Sequence, residues 1–191
     1  MDLLEKQTKL QTKANEIISK LNLLEFLNKY GEVHIVGSVI TGLMTWPDID
    51  IEVTNAELKL DNQLAIAKYL IESMAKQVCL QDYRVDNNPP SRPKGLYLGV
   101  KYLYVDGTKW KIDIWLKEEK VAETFIESEN LFKKLNNSNK LIILNIKSVI
   151  CDHPKYKKEI FSTDIYDAVL NNNVTTIEDF TKYLARKNVI L

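Results

Sequence analysis

The chain of 191 residues is short of several things, and each shortage narrows what it can be. Only two cysteines occur, Cys79 and Cys151, without the spacing of a thiolate metal site and too few for a disulfide framework. They read as small buried apolar residues. The two histidines, His34 and His153, have no nucleophile or cysteine partner at a useful spacing and read as structural. No apolar run approaches the ~18 residues that a membrane span needs. The N-terminal MDLLEKQTKLQTK is charged throughout and lacks the apolar core of a signal peptide. The expectation is a reduced, cytoplasmic, soluble protein with no membrane partner. An excess of charge is missing as well, since 26 Lys+Arg balance 26 Asp+Glu. That balance argues against a broad nucleic-acid footprint, which usually shows as a basic excess or stripe, and leaves room for a local basic patch; nucleic acid is not the expected partner.

What is present suits a compact fold. Hydrophobic residues make up 45% and charged residues 27%, enough for one or two domains with a real core. Residues 2–29 carry a helical apolar stripe that Gly31 ends. Val33 to Val36 reads as a short buried strand, Ile49 to Val53 as a second, 57–78 as a helix and 79–85 as a strand. DNNPPSRPKG, residues 86–95, is a loop, since its three prolines forbid regular pairing. Residues 96–116 alternate as a hairpin, with Asp106-Gly107 as a two-residue turn. From about 118 onward the pattern is helical, and Thr175 with Glu178 predicts a capping box.

Two of these strands break their own apolar pattern with acids. Side chains alternate along a strand, so Asp48, Asp50 and Glu52 share one face while Ile49, Ile51 and Val53 share the other. In KWKIDIWL, Asp113 shares a face with Lys111 and Trp115, opposite Ile112 and Ile114. If the strands are neighbours, three carboxylates converge, and they cannot all ionise cheaply unless a cation joins them. Hard oxygen ligands on a rigid sheet suit Mg²⁺ held together with substrate phosphates. Two such ions, ~3.5–4 Å apart, can clamp the attacking and leaving oxygens of a phosphoryl transfer. Gly37-Ser38 adds a place where backbone can approach a phosphate, and Ser38 opens a short helix whose amide hydrogens favour an anion.

Gly37-Ser38, then Asp48-Ile49-Asp50, then a strand aspartate at 113 resembles the nucleotidyltransferase superfamily of the polymerase-beta type. Small size and a helical tail make the chain similar to the antibiotic (aminoglycoside and lincosamide) members. The resemblance implies an α+β fold: a short mixed sheet with helices on one face within 1–117, then a helical segment or subdomain over 118–191. It implies transfer of a nucleoside monophosphate from a nucleoside triphosphate to an acceptor, with pyrophosphate leaving. Asp48 and Asp50 would hold Mg²⁺ on the triphosphate. Asp113 would join a second ion and take the proton of the acceptor hydroxyl. Gly37 and Ser38 would cradle the β and γ phosphates. The expected acceptor is a hydroxyl-bearing small molecule, with a protein side-chain hydroxyl as a variant and a homodimer allowed, since relatives often dimerise to complete the cleft. A non-catalytic binding module is disfavoured by the retained acids, and an RNA-tailing enzyme by the zero net charge and small size.

Other residues are weighed against plainer roles. Arg92 and Lys94, in the proline-rich loop, either contact the triphosphate or solubilise the loop. A two-residue turn pairs Val100 with Asp113 and puts Lys101 on the face away from it. Trp46 reads as packing or a loop anchor, Tyr166 as core, and Lys147 and HPKYKKE (153–159) as solvated charge. Glu52 shares the acidic face, but the family pattern stops at Asp50, so it is expected to support the ligands or face solvent.

Overall fold

The computed structural model describes residues 2–73, 75–84 and 94–191. Helices α1 (Leu3–Lys20) and α2 (Leu23–Leu27) come first. They replace the single helical stretch expected because Asn22 turns left-handed between them, with φ 45°, a conformation that Asn tolerates better than most residues. Strand β1 (Glu32–Val36), the one-turn α3 (Ser38–Thr41), β2 (Asp48–Thr54), α4 (Leu60–Glu72) and β3 (Gln77–Asp82) follow. Next come β4 (Leu96–Leu103), β5 (Lys109–Leu116), and then α5 (Glu123–Lys134), α6 (Asn137–Ile150), α7 (Ser162–Asn171) and α8 (Ile177–Arg186).

The five strands form one mixed sheet in the order β1-β2-β5-β4-β3. Strands β2 and β5 run parallel, and the other neighbours are antiparallel. The expected α+β fold with a short mixed sheet is what the chain adopts. Alternation sets its faces: Ile49, Ile51, Val53, Ile112, Ile114 and Leu116 are fully buried. They belong to one core with Ala14 and Ile17 of α1, Leu23 and Leu27 of α2, and Ile66 and Leu70 of α4. Each such side chain contributes roughly 1.5–3 kcal/mol by leaving water. A one-residue slip would exchange these for Asp48, Asp50 and Asp113, so the core itself fixes the acids on the opposite face. On that face α5 lies against β1, with the Phe125 ring 5.0 Å from His34.

The hairpin register differs from expectation by one residue. Gly99, not Val100, faces Asp113, and Lys101 faces Lys111. The loop holds three residues, closed by Tyr104 N–H on the Thr108 carbonyl, with Gly107 left-handed at φ 84°. Asp-Gly fits this three-residue loop as well as the two-residue turn, and only the former needs a single left-handed position. Lys101 therefore stands on the acidic face. At α8 the cap also lies one residue on and is a single bond in place of the expected box: Thr176 accepts from the Asp179 N–H at 3.1 Å.

A second core gathers Leu144 and Ile150 of α6, Ile165 and Ala168 of α7, and Phe180 and Leu184 of α8. Leu43, just after α3, belongs to it, and Leu3, Leu4 and Trp46 pack against it.

Candidate active site

The parallel pairing of β2 with β5 sets Asp50 beside Asp113, and Asp48 lies two residues back on the same face. One carboxylate oxygen from each of the three lies within 4.8 Å of the others. Gly37 sits directly above them. Its φ of 68° is left-handed, and a Cβ there would lie 2.9 Å from Asp50 Oδ2, so no side chain fits between backbone and acid. The cluster floors a cleft of about 560 Å³ between the sheet and the C-terminal helices.

Each acid is held differently. Asp48 is 5% exposed; its Oδ2 accepts from Trp46 Nε1 at 3.1 Å and lies 3.6 Å from Lys157 Nζ. Its Oδ1 is buried with no hydrogen-bond partner among the described residues. Asp113 Oδ1 accepts from the Tyr97 hydroxyl at 2.8 Å, while Oδ2 pairs with Lys111. Burial, with Asp48 and then Asp113 close by, pushes the Asp50 carboxyl up to about 7, against the pull of Lys111 and Lys157. A buried, unpartnered carboxylate oxygen beside two further carboxylates is an arrangement that a divalent cation completes. All-oxygen donors fit a hard ion such as Mg²⁺ better than a thiolate- or imidazole-seeking one.

Lys147, expected in solvent, is 1% exposed. Its Nζ donates to the Leu43 carbonyl at 2.7 Å and to the Tyr166 hydroxyl at 3.4 Å, and lies 5.1 Å from the Trp46 ring centre. Burial brings its ammonium down to about 8. The signal was present in sequence: 147 lies four residues after Ile143, three after Leu144 and three before Ile150, on the buried stripe of α6. Lys157, part of the expected solvated segment, points into the cleft from a left-handed backbone position, φ 63°. Tyr166 and Trp46 are half-buried; both pack against the second core, as expected, and both also line the cleft.

Gly37 and Ser38 both line the cleft. The Gly37 N–H, however, already donates to Ser128 Oγ of α5 at 3.2 Å. Lys94 is exposed and stands outside the cleft lining. Arg92 lies outside the described residues. Glu52 is not in solvent; it is 5% exposed and its Oε1 accepts from Lys117 at 2.7 Å, away from the three-carboxylate cluster. Sequence reasoning also missed Tyr97, because the misplaced turn put Val100 where Gly99 stands. Only glycine leaves room there, since a Cβ at 99 would lie 2.6 Å from the Tyr97 hydroxyl that reaches Asp113.

No family model matches the chain, and no curated protein does. Among solved structures it resembles the Cid1 poly(U) polymerase with MgGTP bound, at a TM-score of 0.64 and 16% identity over 85% of this chain and 50% of that one. Cid1 in complex with its short product ApU gives 0.61 and 16%, over 85% and 48%. A third Cid1 structure, described by its RNA terminal uridylyl transferase activity, gives 0.60 and 16%, over 85% and 47%. The chain thus spans about half the length of these proteins. The comparisons correct the partner expectation: proteins of this fold that act on RNA overturn the expectation against nucleic acid and leave the small-molecule acceptor without support. Net charge sums the whole surface, whereas a polyanion is bound by a local set of cations. The antibiotic subgroup suggested by size and tail is not shown either. No helix among the described residues is long and apolar enough to cross a membrane, and no compartment follows from that. At these identities the likeness is one of architecture, and the architecture of this chain is the nucleotidyltransferase fold.

Proposed function

We propose that the chain transfers a nucleoside monophosphate from a nucleoside triphosphate to the terminal hydroxyl of a polynucleotide. The observation that carries this reading is the convergence of Asp48, Asp50 and Asp113 within 4.8 Å, with Asp48 Oδ1 buried and unpartnered among the described residues. Asp48 and Asp50 would hold a divalent ion, Mg²⁺ by the chemistry of the donors, and Asp113 a second. When bound, the ions neutralise charge developing on the oxygens about the α-phosphorus.

The remaining steps belong to the chain's own groups. The Ser38 hydroxyl, and the ammonium groups of Lys147 and Lys157, face the cleft and bind the triphosphate oxygens. Trp46 offers its ring to the cleft while its indole N–H fixes the Asp48 carboxylate. Tyr97 and Lys111 orient Asp113. Asp113 takes the proton as the acceptor oxygen bonds to the α-phosphorus; the bond from that phosphorus to the bridging oxygen breaks, and pyrophosphate leaves. Most of the acceleration in such a site is positioning and charge stabilisation.

The test incubates the full chain with Mg²⁺, each nucleoside triphosphate in turn, and a short oligoribonucleotide, reading pyrophosphate release and oligonucleotide length. Extension by at least one nucleotide, reduced about 10²-fold or more in Asp113→Asn, is the expected result. Mg²⁺-independent triphosphate binding that survives Asp48→Asn, with no extension, would count against it.

A further inference from the structure

The acidic face does not end at Asp113. Beyond it, β5, β4 and β3 carry an open groove of about 680 Å³. The register lays out its floor in rows across the sheet. One row runs Asp50, Asp113, Gly99, Cys79, and the next runs Lys111, Lys101, Gln77. Strands lie about 4.8 Å apart, so Cys79 is roughly 10 Å from Asp113 across the sheet. Lys111 and Lys109 follow Asp113 along β5 at roughly 7 and 13 Å. Tyr97 lies over Gly99, within the groove, and reaches Asp113 with its hydroxyl.

The charge of this groove is one-sided. Lys76, Lys101, Lys109 and Lys111 line it, and no aspartate or glutamate among the described residues does. In a chain with 26 charges of each sign, that is a local departure from balance. Lys76, Lys101 and Lys109 are exposed, and none pairs with a carboxylate among the described residues. The cations of the cleft, Lys147 and Lys157, come from the helical side, so two separate cationic surfaces flank one acid cluster. A single triphosphate accounts for one of them.

We propose that the lysine groove across β3, β4 and β5 binds the phosphodiester backbone of a single-stranded polynucleotide and leads its terminal hydroxyl to Asp113. Lysines beside an aromatic ring on an open groove are what a single strand uses, through phosphate contacts and stacking. The position of the hydroxyl rests on the transfer reading above; the binding of the strand rests on the groove alone.

The experiment measures binding of a labelled oligoribonucleotide to the full chain by fluorescence anisotropy across a salt series. The variant is Lys76→Gln/Lys101→Gln/Lys109→Gln, which leaves Lys111 and the acid cluster intact. The expected result is binding at least tenfold weaker in low salt. The log–log salt slope becomes shallower by about 2, as loss of three phosphate contacts to a single strand requires. Triphosphate binding is unchanged. Cys79, exposed in the groove, supplies a second readout. The oligonucleotide should slow its alkylation in the unmodified chain and leave the half-buried Cys151 unaffected. If the triple variant does not fold, Lys101→Gln and Lys109→Gln alone should each give part of the loss. Unchanged affinity in the variant overturns the proposal, as does an unprotected Cys79, or a poly-glutamate peptide that competes as well as the oligonucleotide. Failure of pyrophosphate release sinks the transfer reading only, because anisotropy and alkylation need no turnover.

Discussion

Lys147 is 1% exposed, its ammonium held at the cleft wall by the Leu43 carbonyl and two aromatic rings, with no carboxylate paired to it among the described residues. That costs stability. The folded chain holds this proton up to about pH 8, whereas the ordinary lysine value is 10.5. Between those values the unfolded chain binds more protons, so stability rises with pH through that window, and below about 8 the whole penalty is present. The gap caps the cost at about 3 kcal/mol. Lys147→Met would remove it but leave the Leu43 carbonyl without its donor, giving back about 1 kcal/mol. The variant should therefore be more stable at pH 7 by about 1–2 kcal/mol, with the pH 8–10 rise flattened and triphosphate binding weakened. Urea titrations at pH 7 and 9.5 check this, and a less stable variant at pH 7 would show that the lysine is held favourably. A stabilising change that costs function is the usual mark of a side chain kept for chemistry.

At the scale of elements, the structure differs from the sequence reading at boundaries and not in kind. Helix α8 is the sharpest instance. Both Thr175–Glu178 and Thr176–Asp179 satisfy a capping pattern, and the chain uses the second. Thr176→Ala should cost about 1 kcal/mol and Thr175→Ala within about 0.5 kcal/mol of nothing, read from paired thermal melts. Equal losses would place the cap elsewhere. The same one-residue ambiguity at Asp106-Gly107 hid Lys101 and Tyr97. The strands carrying Asp48, Asp50 and Asp113 were legible, because buried isoleucines on one face force acids onto the other whatever the neighbours are. That β2 and β5 lie side by side, which brings the acids together, is a long-range fact that alternation only allows. Lys147 was written on the apolar stripe of α6, yet its charge outweighed its spacing in the reading. The burial of Trp46 and Tyr166 against the cleft depends on how the two cores meet, and no local pattern encodes that.

For the molecule as a whole, the cleft is the seam between two cores. The sheet supplies the acids, the helical core supplies Lys147, and α1 contributes Leu3 and Leu4 to one core and Ala14 and Ile17 to the other. Without a divalent ion, three neighbouring carboxylates repel one another on the sheet side of that seam, relieved in part by Lys111 and Lys157. A ligand that binds only the folded state adds RT ln(1 + [L]/Kd), about 2.7 kcal/mol at a hundredfold excess over Kd. At roughly 2–4 °C per kcal/mol for a chain of this size, Mg²⁺ with a nucleoside triphosphate should raise the melting temperature by about 5–10 °C. Sodium chloride at matched ionic strength should not, since screening acts on all charges alike. Asp48→Asn keeps an acceptor for the Trp46 indole while removing one charge from the cluster. It should melt slightly higher than the unmodified chain without metal, and show little of the ligand-induced rise. Those two shifts have opposite signs and one cause. A variant that melts lower without metal and still responds fully to Mg²⁺ and triphosphate would mean that Asp48 holds the fold and not the ion.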